Sequence, residues 1–492
     1  MACRRRSIND PEPKAARDID DMKALNYFPL LVLFACSADP IPSGHYLITT
    51  GQETDTLTMA PAPESFTLSS VDSSTYKTTA ISTSDKPVDS IDVGITGSNF
   101  FMVTGDDSDG VRRVQATSYA INATQLAGYS VPLFLGRTDA FCRPNGKLTA
   151  QGNHPPVGIF WGQLLWAAGV VNNQAENDGY DLVGWSETGA PSVLTNITCP
   201  TMPCQFQSIA VYSGEFGLAI GSDWAVTIDI TAGTSAVSTP PSNFSSWADV
   251  SGGRTIDAIT GAVFVVGPTR SKTASSNVLE LDTSGKMTAQ PLSTPRQQAA
   301  AAYINTNSTH GLLVVGGSPN GTGAEFLADS ATAFVTLPYP ADPVVGAALL
   351  AEPTGSRVWR VGGKLSPTDP TPAPTVVYDL ACVANSNCPS SPEPLPAYDL
   401  VVTNAYGFSF SASDGTDSDG GVVIDDRRVV IGEQDDGTMV AWRISATAVT
   451  PVPIREPRKY STVISLPNGF AALIGGTLSD GTPATSLELL AY

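Results

Sequence analysis

Three histidines, seven cysteines and two Asp-rich loops are the residues of this chain whose types could do chemistry. His45, His154 and His310 stand far apart, so no metal centre built on clustered imidazoles is expected. The sequence holds no Gly-x-Ser-x-Gly elbow, phosphate loop or His-Glu-x-x-His helix. Cys199 and Cys204 form one close pair, and Cys382 and Cys388 another. Neither has the further Cys or His that zinc needs, so two small loop-clipping disulfides are expected, which fits an oxidising compartment. Cys142 has no obvious partner, and its neighbours Phe141 and Arg143 offer no general base, so it reads as a buried or free thiol. The acidic loops are Asp106-Asp107-Ser108-Asp109-Gly110 and Asp414-Gly415-Thr416-Asp417-Ser418-Asp419-Gly420. Alternate carboxylates beside glycine can gather around Ca²⁺, with Asp417 and Asp419 as candidate ligands. The same pattern also makes a solvated Asp/Gly turn. No other cofactor is expected.

Cys36 belongs to a different kind of signal. Met22-Lys23 starts a stretch whose apolar core, Tyr27 to Ala35, is too short to span a bilayer and reads as a secretory signal. Leu33-Phe34-Ala35-Cys36 resembles a bacterial lipobox, in which the Cys thiol is acylated and becomes the new N-terminus. The resemblance implies a lipid-anchored protein of the outer membrane or periplasm of a Gram-negative bacterium, since Ser37 stands where Asp would hold it at the inner membrane. The divisions that follow are an upstream extension at 1–21, a signal peptide at 22–35, a lipid tether at 36–43 and one large domain at 44–492. The formal charge of −20 repels phosphate backbones and excludes nucleic acid as an expected partner.

The elements that must position these residues are short strands. The chain has 44 Gly and 38 Pro in 492 residues and no long helix-forming runs. A short apolar run ending at glycine recurs at Tyr46–Gly51, Phe100–Gly105, Leu164–Gly169, Gly217–Gly221, Val263–Gly267, Leu312–Gly317, Val358–Gly363, Arg428–Gly432 and Ala471–Gly476. Repeats of this length mean a solenoid, propeller or array. Each unit reads as a small-residue strand such as Gln298–Tyr303, the apolar run, a half-exposed strand such as Met439–Ile444, and a last strand before a Pro-containing corner. A run without alternating polar residues is expected to be buried on both faces. Four antiparallel strands per unit, stacked radially, make a propeller blade. The first unit lacks an inner strand and the last lacks an outer one, so N-terminal strands are expected to complete the final blade. Eight blades are the expectation and seven the alternative, because 343–400 and 401–454 are long and irregular.

Over 44–492 the chain resembles the kelch family. The family's glycine doublet stands at Gly316-Gly317, Gly362-Gly363 and Gly475-Gly476. Its opening Arg is matched in Pro295-Arg296-Gln297-Gln298 and Pro457-Arg458-Lys459-Tyr460, and loosely by Arg254; Tyr378 matches its Tyr without the following Trp. The resemblance implies a kelch-like all-β propeller with degenerate repeats. It also implies that Arg296 and Arg458 approach the central channel, where they either hold an anionic ligand or pair with a backbone carbonyl or carboxylate. The expected function is a non-catalytic, monomeric binding or scaffold propeller that meets an envelope protein or glycan through its loops. The alternatives are a periplasmic sugar mutarotase or epimerase and a calcium-dependent adhesion module.

Overall fold

The computed structural model describes residues 43–492 apart from several stretches, chief among them 123–129, 146–156, 171–179, 186–191, 201–206, 384–388 and 417–421. Cys36, Cys199, Cys204, Cys382, Cys388, Asp417 and Asp419 lie outside the described residues, as do the signal and the tether. Residues 41–492 cluster as one compact unit.

This unit is all-β and propeller-like, and seven sheets follow one another among its described residues. The first is Val157–Trp161, Leu164–Val170, Tyr180–Trp185 and Ser192–Ile197; the second is Ser208–Val211, Phe216–Ile220, Ala225–Asp229 and Thr234–Ser238. The third is Gly253–Asp257, Val263–Pro268, Ser275–Leu281 and Met287–Gln297, extended by Ser318–Pro319. The fourth is Ala300–Asn305, His310–Val315, Ala324–Ala328 and Val335–Thr336, and the fifth Ala348–Ala351, Arg357–Val361, Val376–Asp379 and Glu393–Pro394. The sixth is Thr403–Thr416, Val422–Glu433, Met439–Ile444 and Val449–Pro451; the seventh has three strands, Thr462–Leu466, Phe470–Ile474 and Glu488–Ala491. Within each sheet the strands are antiparallel neighbours in chain order. The first strands of sheets one to six lie side by side in sequence, and that of the seventh lies beside that of the first, which closes the ring.

The apolar run explains this stacking. Leu312, Leu313, Val314 and Val315 are all fully buried, and they alternate between two cores. Leu312 and Val314 pack with Phe264 and Val278 of the third sheet, whereas Leu313 and Val315 pack with Leu349 and Val358 of the fifth. Successive side chains of a strand point to opposite faces, so a sheet sandwiched between two others needs apolar residues at every position. Each such side chain stabilises the fold by roughly 1.5–3 kcal/mol. The run ends where both glycines of the doublet take left-handed backbone, with φ of 67° and 93° at Gly316 and Gly317 and 62° and 90° at Gly475 and Gly476. A Cβ on Gly476 would stand 2.5 Å from the Lys459 carbonyl oxygen, so space and conformation both demand glycine.

The missing outer position of the seventh sheet is taken by an N-terminal residue. Cys142 and Leu489 exchange both backbone hydrogen bonds at 2.8 Å in an antiparallel bridge. Phe134 packs on Phe470 beside it, and Arg455 grips Asp55 with two bonds of 3.1 Å while Arg143 joins Glu53 and Glu456. The two earliest glycine-terminated runs sit outside the series of seven. Phe100–Gly105 lies within the strand Ser98–Asp106 of a separate antiparallel sheet. The strand Ser43–Thr49 pairs in parallel with Ser130–Phe134, so the run at Tyr46–Gly51 is not the antiparallel blade strand its pattern suggests.

Candidate functional site

The first strands of the sheets surround a cavity of about 1130 Å³. Ile209, Arg254, Ala302, Leu349, Tyr406 and Val463 each bring one sheet to its wall, and more than half of the described lining residues are Gly, Ala, Ser or Thr. Small residues are what strands converging on one axis can fit. At one end, four of these strands follow a left-handed residue, Gly252, Gln298, Gly346 and Tyr460 in turn, and a fifth, Thr403–Thr416, has one, Asn404, as its second residue. For Gln298 and Tyr460 this conformation costs about 1–3 kcal/mol each. Bonds between sheets offset it: the Gly346 amide donates to the Gln298 carbonyl and the Ala405 amide to the Gly346 carbonyl, both at 2.9 Å.

Arg254 closes this end. It is 5% exposed and is the single basic residue among the described residues of the lining. Its Nη1 donates to the Ala301 carbonyl of the fourth sheet at 3.4 Å, and its Nη2 reaches the Ala405 carbonyl of the sixth at 2.5 Å. The guanidinium lies 4.3 Å from the centre of the Tyr406 ring. Its Nε is buried and donates to no group among the described residues. Desolvation pushes its pKa down from the ordinary arginine value, with Tyr406 acting in the opposite direction. A cation in such a place is normally held by a carboxylate, and here carbonyl dipoles and one aromatic face stand in for it.

Three carboxylates also reach the cavity. Asp249 accepts from Ser245 and Asn277, and Glu352 accepts from the Trp359 indole at 2.6 Å. Asp257 stands three residues beyond Arg254 on the same strand, roughly 10 Å along it. It is open to the cavity yet ringed by chain, and burial pushes its pKa up to about 6.

Arg296 and Arg458 are placed elsewhere. Neither lines the cavity, and they are 2% and 1% exposed. Arg296 donates to the Gly316 carbonyl at 3.0 Å and is paired with Glu325. Arg458 donates to the Gly475 carbonyl at 3.2 Å, to the Ser486 carbonyl at 2.8 Å and to Glu488 at 2.8 Å. The two arginines thus occupy equivalent places, each tying the first glycine of a doublet to a carboxylate on the strand after it. Tyr378 is engaged in a similar way: its hydroxyl donates to Asp342 at 2.7 Å, which also pairs with Arg360 at 3.1 Å.

The first acidic loop is a closed turn. Asp107 accepts from the amides of Asp109 and Val111 and pairs with Arg113 at 2.7 Å. Burial raises its pKa, and those two amides and Arg113 more than offset this, leaving it below the usual carboxylate range. The described residues contain no group of three or more His, Cys, Asp or Glu placed to hold a metal. Cys142 is a buried free thiol whose pKa burial pushes up. Among the described residues no helix is long and apolar enough to cross a membrane. The site residue hardest to anticipate was Arg254. Its sequence signal is an isolated arginine between Gly252-Gly253 and Thr255 with no acidic residue at the place where Arg296 finds Glu325.

No protein-family model and no curated protein matches the chain. Among solved structures it is similar to a chain of the mitotic checkpoint complex, at TM-score 0.41 and 11% identity over 70% of this chain and 92% of that one. It is also similar to the extracellular domain of a B. thetaiotaomicron protein assigned as a one component system, at TM-score 0.40 and 12% identity. That likeness covers 72% of this chain, which spans 40% of that chain's length.

Proposed function

We propose that this protein is a non-catalytic recognition module: a kelch-like propeller, exported and held at a bacterial envelope through acylated Cys36, which meets an envelope protein or glycan at its cavity and the surrounding loops. The observation that carries this reading is the wall of small hydroxyl, Ala and Gly residues around a cavity whose carboxylates Asp249 and Glu352 are already engaged. Rigid strands hold such a wall in place while loops of differing length vary around it. The equivalent clamps of Arg296 and Arg458 support kelch-like repeats. The test is to present the purified mature chain to arrayed envelope glycans and outer-membrane proteins. Saturable binding that Tyr303→Ala and Asn305→Ala at the wall weaken is the expected result, and binding indifferent to every wall substitution overturns it. Mass spectrometry of the chain from its host is expected to show an acylated Cys36.

Asp257 favours a second reading. A carboxylate titrating near 6 in a cavity that also holds an arginine suits proton transfer on a sugar, as in a mutarotase or epimerase. NMR of anomer interconversion checks it. Catalysis abolished by Asp257→Asn supports it, and an uncatalysed rate in the wild type removes it.

A further inference from the structure

We propose that Asp257 is the anchor of a cation site in the central cavity, and that the ligand it takes is an amino sugar, a hydroxylated body bearing an ammonium group. This deepens the recognition reading above and rests on it only for the idea that the cavity binds a ligand. Four charged side chains line the cavity among the described residues, and the fold already engages three of them. Arg254 is tied to the Ala301 and Ala405 carbonyls, Asp249 accepts from Ser245 and Asn277, and Glu352 accepts from the Trp359 indole. Asp257 is the fourth. It is exposed to the cavity, so a ligand can reach it, and no hydrogen bond or ion pair joins its side chain to a described residue. Burial lifts the pKa of two carboxylates among the described residues, Glu488 and Asp257. Glu488 has Arg458 as its counter-charge. Asp257 has none, and a cation brought to it supplies one in surroundings whose partial dehydration strengthens the attraction.

What surrounds Asp257 selects the rest of the ligand. Neighbouring first strands lie side by side, so residues equally far from the left-handed residue ahead of each strand share a level along the channel. Asp257 follows Gly252 by five residues, Tyr303 follows Gln298 by five, Glu352 follows Gly346 by six and Ser465 follows Tyr460 by five. All four line the cavity, as does Asn305. Glu352 meets the Trp359 indole with Oε1, and its Oε2 takes no bond from a described residue. Ser465 and Asn305 are exposed to the cavity beside it. A carboxylate oxygen, a hydroxyl and a primary amide between them accept from and donate to sugar hydroxyls. A lysine side chain would instead bring an apolar stem to this polar wall. The cavity, at about 1130 Å³, admits a sugar of one or two rings. Three carboxylates against one tied guanidinium, in a chain of net charge −20, favour a cation over an anion.

The test is calorimetric titration of the folded mature chain at low ionic strength with glucosamine, with neutral glucose and a pentalysine peptide as separate arms. Glucosamine is expected to bind with one-to-one stoichiometry and about tenfold or more tighter than glucose, the usual size of a charged hydrogen bond. Asp257→Asn is expected to bring glucosamine down to the affinity of glucose, whereas Asp257→Glu keeps the preference. Circular dichroism and thermal melting establish that the variants are folded, and Asp257→Ala takes the place of the Asn variant if that one does not fold. Equal affinity of the wild type for glucose and glucosamine would overturn the selection of a cation. A preference that survives in Asp257→Asn would overturn Asp257 as its anchor. Binding of pentalysine without glucosamine would overturn the sugar assignment in favour of a basic protein segment. No binding in any arm would remove the cavity as a cation site. None of these outcomes decides recognition of envelope partners, which the array measures on its own.

Discussion

Arg458 and Arg254 are two buried arginines, 1% and 5% exposed, with opposite surroundings. Arg458 sits inside a sheet, with its charge met by Glu488 and Glu456 and its remaining donors met by Ser486, Gly475 and the Glu456 carbonyl. Arg254 crosses the channel with no carboxylate partner among the described residues. A buried ion pair is costly to break from one side, because the abandoned partner keeps its desolvation penalty. A buried charge without a carboxylate already carries that penalty, so removing it relieves the penalty while giving up its carbonyl and aromatic contacts. The first arrangement ties strands within one sheet, and the second ties three sheets together through carbonyl oxygens and one aromatic face.

The largest expected effect comes from breaking the paired arginine. Arg458→Met leaves Glu488 buried with only the Arg455 and Glu456 amides to meet its charge and is expected to destabilise the protein by about 3–5 kcal/mol, read from urea unfolding. Burial already holds Glu488 above the usual carboxylate range against the pull of Arg458. Next comes the second glycine of the same doublet. Gly476→Ala forces a side chain into left-handed backbone against the Lys459 carbonyl and should cost about 1–3 kcal/mol. By contrast, Arg254→Met should change stability by no more than about 1 kcal/mol in either direction. A loss as large as that of Arg458→Met would erase the distinction between the two arginines.

The smallest effect is one of pH. The folded state holds the Asp257 proton up to about 6, whereas an unfolded Asp releases it near about 4. Between those values the folded state binds the extra proton, so stability falls as pH rises through that window. Asp257→Asn should flatten that part of the stability curve, measured by denaturant midpoints at pH 4, 5, 6 and 7. A curve of unchanged slope would show that the cavity solvates this carboxylate freely.

Much of this was legible in the order of residues. The runs ending at Gly267, Gly317, Gly363 and Gly476 are second strands buried between neighbouring sheets, because a strand with two covered faces can carry no polar alternation. Met439–Ile444 is a third strand over the span its pattern marks. Tyr46–Gly51 carries the same string and yet belongs to a mixed sheet, since the pattern records burial and not the direction of the partner. The arginines show a similar limit. Arg296, Arg458 and Arg254 share a residue type and a position ahead of, or within, a first strand. Local sequence does not reveal which of them meets a carboxylate.

Taken alone, the sequence determined the class of architecture: burial on both faces, glycine at each exit and a repeat of some fifty residues leave room for little besides stacked antiparallel sheets. The tertiary structure decided that Cys142 completes the last sheet across hundreds of residues, and that Arg254 rather than Arg296 or Arg458 faces the cavity. The reason is physical. Backbone conformation and burial are set by neighbours a few residues away, whereas a charge's partner is set by whichever distant strand the ring brings beside it.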